Sequence, residues 1–316
     1  MPSRRPRHPR SRQKDTLLFM VIAIGLMVLA DQVFLKGPPA YHEQIKARYE
    51  QAHPPQPVIQ AEPAVPEIKP PVVAKIPPTP IPLPPPSAPP PPMKARIAII
   101  IDDMGISPAY SRRVMEFLPP EITLAFLPYA PQTPDLARMA TAKGHELMIH
   151  VPMAAMKEDQ DLGDMALRRG MTPPEITAEL ERMMTVFSGY QGINNHMGSY
   201  LTQDKDAMSA VMSVLESKNL FFVDSKTSPQ SVAEEIARQA GVRYAARDIF
   251  IDHEPTAEFV ATSLHKAEKM ALKRRQAVII GHPKDVTIEG LKKWIPTLKD
   301  KGIEIVPVSH LMPQTP

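Results

Sequence analysis

Five short apolar runs in the carboxyl-terminal part of this 316-residue chain end in side chains that bind metals or move protons. Asp102 and Asp103 follow Ile97 to Ile101, His150 follows Leu147 to Ile149, and Asn194, Asn195 and His196 follow Gly192-Ile193. Asp224 and Ser225 follow Phe221 to Val223, and His282 follows Val278 to Gly281. Two imidazoles and a carboxylate, His150, His196 and Asp103, make a ligand set for a divalent cation with positions left for water and substrate. Zinc is the first expectation, although nitrogen and oxygen ligands also suit other first-row metals. His282, between a buried-looking strand and Pro283, is placed for proton transfer. Asn194 and Asn195 either hold the turn that carries His196 or touch substrate, and Asp224 and Ser225 either orient a ligand or touch substrate. His145 lies five residues before His150, roughly 16 Å along a strand, and is excluded as a ligand. His265 falls within a helical pattern, while Asp248, Asp252 and His253 are further candidates whose strand has unclear limits.

These residues are far apart in sequence, so a fold must gather them. From Lys94 onward, apolar runs at 96–101, 122–127, 146–149, 192–194, 220–223, within 244–251, 277–280 and 302–308 alternate with amphipathic helical patterns. Helix starts are signalled at Ser107-Pro108, Thr133-Pro134, the capping box Thr172-Pro-Pro-Glu175 and Ser228-Pro229, and a long helix is expected from Thr256 to Arg275. Strand and helix alternating seven or eight times define a parallel β/α protein, either a barrel or a doubly wound sheet. In a barrel the carboxyl ends of all strands meet on one face, where active sites are built. The stretch Met153 to Met171 is long for a strand-to-helix connection and reads as a solvated loop or a substrate lid.

The rest of the chain is of another kind. Of 39 prolines, 20 fall between Pro38 and Met93, so residues 36–93 are expected to form a disordered linker of polyproline II character. Six of the cations precede residue 15, so the net charge of +3 conceals a slightly acidic remainder. That removes the case for nucleic-acid binding. Residues 1–15 read as a basic cytoplasmic tail. Residues 16–35 read as a transmembrane anchor with the barrel in the periplasm, or alternatively as a cleaved signal sequence at Val28-Leu29-Ala30. The absence of cysteine excludes disulfides and thiolate chemistry.

Taken together, Ile-Asp102-Asp103-Met-Gly105, His150-Val-Pro-Met153, Asn194-Asn-His-Met-Gly-Ser199, Phe-Val-Asp224-Ser225 and Gly281-His-Pro283 resemble the divergent polysaccharide deacetylases, a branch of the NodB-type carbohydrate esterases. The resemblance covers residues 95–312 and implies an irregular (β/α)7–8 barrel within a domain spanning 94–316. It further implies Asp102 as general base, Asp103 as first metal ligand and His282 as the late catalytic histidine. The implied activity is metal-dependent hydrolysis of N- or O-acetyl groups on a cell-envelope glycan, peptidoglycan among the candidates. The mainstream enzymes carry His-x-x-x-His, whereas Ala154 stands four residues after His150 here, which leaves His196 as the substitute. The arginine motif of those enzymes is not recognisable. The alternative expectation is therefore an inactive glycan-binding or regulatory envelope protein that keeps the metal site.

Overall fold

The computed structural model describes residues 94–312. The tail, anchor and linker expected over residues 1–93 lie outside the described residues. Among the described residues no helix is long and apolar enough to cross a membrane.

Among the described residues nine strands run in one sense: β1 Ala95–Met104, β2 Thr123–Phe126, β3 Leu147–Met153, β4 Tyr190–Met197, β5 Phe221–Asp224, β6 Tyr244–Ala246, β7 Ile249–Phe250, β8 Gln276–Gly281 and β9 Ile303–Ile305. The connecting helices are α1 Pro108–Phe117, α2 Thr133–Ala142, α3 Pro173–Met184, α4 Lys205–Ser217, α5 Ala233–Ala240, α6 Ala257–Arg274 and α7 Asp285–Trp294. Each strand pair is parallel, in the order β6-β5-β4-β3-β2-β1-β8-β7, with β9 beside the start of β1. The two ends of this order are neighbours in sequence. Arg247 N–H still bonds the β5 carbonyl of Asp224 at 2.9 Å, and Asp248 N–H already bonds that of Val278 in β8 at 2.8 Å. The sixth apolar run thus divides into β6 and β7 because one segment changes partner there, and that change closes an irregular α/β barrel.

The strands read as continuous apolar runs because both faces are covered. Ile97, Ile99 and Ile101 join the core shared with the helices. Ala98 and Ile100 join a separate lumen cluster with Met148, Val223, Val278 and Ile280. Side chains alternate along a strand, so this parity fixes which later residues face the lumen.

The helix signals hold where the cap has no competing partner. Ser107 accepts from Tyr110 N–H, Glu175 accepts from Thr172 N–H at 2.7 Å, and Thr256 caps α6. Ser228-Pro229 is corrected: α5 begins at Ala233, because the Ser228 hydroxyl instead accepts from Gln230 N–H in a local turn. Residues 154–171 fold back onto the barrel at one end while Met156, Lys157, Glu158 and Asp159 stay exposed to solvent. Leu167 donates its N–H to Pro152 O at the end of β3 and accepts from Ala154 N–H, each at 2.8 Å, and Leu162, Ala166 and Leu167 are buried.

Candidate metal centre

The lumen parity set by Ala98, Met148 and Ile280 carries Asp102, His150, Asn194, His196, Ser225 and His282 into the barrel mouth. Asp103 would by the same alternation face the helices. Its φ of 56° turns the chain, and its side chain returns to the mouth. His196 depends on a similar device. Met197 and Gly198 are both left-handed, with φ of 55° and 86°, and a Cβ at Gly198 would lie 3.2 Å from Asn195 Nδ2. Asn195 supports this turn by donating to Met197 O at 2.7 Å and accepting from Ser225 N–H at 2.9 Å.

Three ligand atoms converge. Asp103 Oδ1 lies 3.1 Å from His196 Nδ1 and 3.4 Å from His150 Nε2, and the two nitrogens are 3.1 Å apart. These separations match the roughly 3.3 Å edge of a tetrahedron whose arms are the ~2.0–2.1 Å bonds of zinc to nitrogen and oxygen. Among the described residues, Asp103 Oδ1 is the buried side-chain polar atom without a hydrogen-bond partner. An orphaned carboxylate oxygen facing two imidazole nitrogens is a site that fits a cation.

The supporting bonds set the tautomer. Asn194 Nδ2 donates to Asp102 Oδ1 at 2.7 Å, which leaves Asn194 Oδ1 to accept from His150 Nδ1–H at 2.9 Å. The neutral His150 ring therefore presents a bare Nε2 toward the trio. On the other side of the mouth, His282 Nε2 is 3.8 Å from Asp103 Oδ2, and Asp252 holds its Nδ1 at 2.9 Å. Asp252 also accepts from His282 N–H and from the Thr287 hydroxyl, each at 2.7 Å. Asp252 follows Ile249 to Ile251 just as Asp102 follows its own apolar run. That positional signal was present in the sequence, blurred by the split strand.

Electrostatics reflect this crowding. Burial pushes the Asp102 carboxyl up, against the pull of the His150 and His282 charges and the Asn194 bond. Burial would also raise Asp103, but the imidazoles of His150 and His196 beside it hold it far below the ordinary carboxylate range. Burial would lower His150 and His282, yet Asp102 and Asp103 around the first and Asp252 against the second raise both. The acids demand positive charge, which either protons or a metal can supply, and the two compete.

Asp224 stands apart from the trio. It is fully buried, accepts from Lys226 N–H and the Ser231 hydroxyl at 2.7 Å, and takes a longer bond from Tyr244. It shapes the β5 loop, while its neighbour Ser225 meets Asn194 Nδ2 at 3.4 Å. His145 is at the other end of β3, bonded to Ile122 O at 3.0 Å. Asp248 faces α6 and pairs with Arg274.

The parallel α/β barrel with an Asp-Asp pair and two imidazoles at its strand ends is that of a chain belonging to the divergent polysaccharide deacetylase family, whose model matches residues 99–312. It is similar to the uncharacterised protein YibQ of Escherichia coli (strain K12), at 32% identity over 220 residues, covering 70% of this chain and 68% of that protein. An uncharacterised protein of Haemophilus influenzae is 32% identical over 218 residues, covering 69% and 77%. Among solved structures, the uncharacterised protein ATU2773 of Agrobacterium tumefaciens C58 superposes with a TM-score of 0.67 at 27% identity, covering 69% of this chain and 89% of that one.

Proposed function

We propose that the barrel is a metal-dependent hydrolase that removes N- or O-acetyl groups from a cell-envelope glycan, with Asp103 Oδ1, His150 Nε2 and His196 Nδ1 holding the cation. The observation that carries this reading is the orphaned Asp103 Oδ1 facing two imidazole nitrogens, with Asp102 and the His282–Asp252 pair on either side. A divalent ion there, zinc by its ligand set, supplies Lewis acidity toward the acetyl carbonyl and acidifies a water. Asp102, whose carboxyl burial pushes up, receives the proton from the attacking water. His282 delivers a proton from Nε2 to the departing amine or alkoxide, while Asp252 keeps the other proton on Nδ1 and steadies the imidazolium. Asn194 keeps base and ligand in register by bonding both. With residues 16–35 as anchor and 36–93 as tether, the barrel would work on glycan outside the cytoplasmic membrane.

The test uses the full chain in detergent: bound metal is measured, and acetate release from acetylated glycans is assayed beside Asp103→Ala and His196→Ala. Release that depends on both residues supports the reading. Full metal occupancy with no release from any acetylated glycan sinks it and favours a binding protein, a reading supported by Ala154, buried where the mainstream enzymes have their second histidine.

A further inference from the structure

The seam between β6 and β7 places a cation in the mouth that the hydrolytic scheme does not use. Ala245 packs against the lumen cluster, so Arg247, two residues on, faces the same way. Its guanidinium is held rigidly: Nε donates to Ser225 O at 2.7 Å, Nη2 donates to Lys226 O at 3.0 Å, and the group lies 5.0 Å over the Phe250 ring. That ring in turn meets His282 edge to face at 5.0 Å, and Ser225 touches Asn194. Arg247 is thus linked to the base Asp102 through Ser225 and Asn194 on one flank, and to the proton donor His282 through the Phe250 ring on the other.

Among the described residues, Arg247 makes no ion pair with a carboxylate, and its Nη1 has no protein partner. Burial weakens its hold on the proton, although Asp224, Asp102 and Asp248 oppose that loss. The carboxylates nearby are otherwise engaged. Asp224 is met by Lys226 at 3.5 Å and Asp252 by His282, and a divalent ion would offset Asp102 and Asp103. Arg247 is left as a half-buried charge in no direct ion pair, with Nη1 on the edge of the guanidinium that the two carbonyls leave open, and Lys284 stands near Asp252 as a further cation. A half-buried guanidinium fixed by two carbonyls and a ring is preorganised for end-on, bidentate recognition of a planar anion.

We propose that Arg247 is a specificity residue that receives a carboxylate borne by the glycan beside its acetylated sugar, so that the substrate class is an acidic rather than a neutral N-acetylated glycan. This rests on the glycan-hydrolase reading of the same mouth, and the test separates the two.

The metal-loaded full chain in detergent is titrated by calorimetry with three probes: a neutral N-acetylhexosamine disaccharide, the same disaccharide bearing a carboxylate ether, and a phosphorylated form. Wild type is expected to bind the carboxylate probe at least roughly tenfold more tightly than the neutral one, the scale of one charge-assisted hydrogen bond in a partly buried site. Arg247→Met abolishes the difference while leaving the neutral probe within about twofold, and Arg247→Lys recovers part of it. Equal wild-type affinities, equal weakening of both probes in Arg247→Met, or a preference for phosphate over carboxylate overturns the proposal. Should Arg247→Met fail to fold, wild type decides alone: the preference must exist and must shrink as salt is added. Carboxylate preference without acetate release from any probe would sink the hydrolase and spare Arg247. Acetate release without preference would do the reverse.

Discussion

The two ends of the barrel treat buried polar groups in opposite ways. At the amino-terminal end Glu146 Oε1 accepts from the Thr123 hydroxyl at 2.9 Å and from Ser309 N–H at 3.3 Å, and Thr123 accepts from Val308 N–H at 3.1 Å. His145 is bonded to Ile122 O beside them. The carboxyl-terminal segment thereby plugs the lumen with a closed set of bonds. At the opposite end Asp103 Oδ1 is buried with no hydrogen bond, and imidazole nitrogens crowd within 3.4 Å of it. Acidic, hydroxyl and imidazole groups occur at both ends, so composition does not separate them. Satisfaction does: where every group finds a protein partner the cluster holds the fold, and where one is left over the protein is waiting for a ligand.

The sharpest way to break that contrast is to remove the leftover group. Asp103→Ala and His196→Ala are each expected to lower metal affinity by more than about a hundredfold, beyond the 10–100-fold typical of losing a group that merely supports a ligand. Metal content after dialysis measures this. Asp103→Ala should also destabilise the metal-free protein near neutral pH, because the carboxylate held down by His150 and His196 is lost. Unchanged metal-free stability would show that the two imidazoles do not hold Asp103 without a cation.

Next in size is Asn194, which supports rather than ligates. Asn194→Ala should cost metal affinity about 10–100-fold, because His150 loses the bond that fixes its tautomer. It should also lower acetate release beyond the metal effect at saturating metal, because Asp102 loses its hydrogen bond. If saturating metal restores full release, the link from Asn194 to Asp102 has no catalytic weight.

The structural end should answer in stability alone. Glu146→Ala leaves the Thr123 hydroxyl and Ser309 N–H without their acceptor, and is expected to cost about 1–3 kcal/mol in urea denaturation with no change in metal affinity. Altered metal binding would mean that the two ends are coupled.

How far this division could be read from sequence follows from parity and from strand limits. The strand-end positions of Asp102, Asp103, His150 and His282 were legible because the apolar runs before them are unbroken, and that of His196 because it closes the Gly192-Ile193-Asn194-Asn195 stretch. Alternation alone, applied from Val223, would have turned Asp224 away from the lumen and Ser225 into it. Asp103 breaks the same rule through a left-handed φ, which nothing in its side chain announces. Asp252 and Arg247 were obscured for one shared reason. The chain changes partner strand between Arg247 and Asp248, so the run from Tyr244 to Ile251 has neither a single period nor a clear end. Glu146 was hidden because its partners Thr123 and Ser309 lie in other elements, up to 163 residues away.

The smallest effect compares His150 on β3 with His145, which lies just before that strand. His145, at the structural end of β3, is kept neutral: burial lowers its proton affinity below the usual value of 6.5, and its bond to Ile122 O only partly offsets this. The unfolded chain therefore binds more protons than the folded one as pH falls below about 6.5, so the His145 contribution is fully present above that value and is lost on acidification toward the depressed folded value. His150, five residues on, is raised by Asp102 and Asp103 and so has the opposite sign in metal-free protein, its contribution present in acid and lost as pH rises. Substituting His145 isolates one of these slopes. His145→Gln keeps an N–H for Ile122 O but cannot titrate, so between pH 7 and pH 5 it should lose less stability than wild type. The difference is bounded by about 1.4 kcal/mol per pH unit for one proton. Urea midpoints across that range measure it with metal removed from both proteins. Parallel profiles would show that His145 takes up its proton equally well in both states, and the inert end of the barrel would then be more open to water than its closed bonding implies.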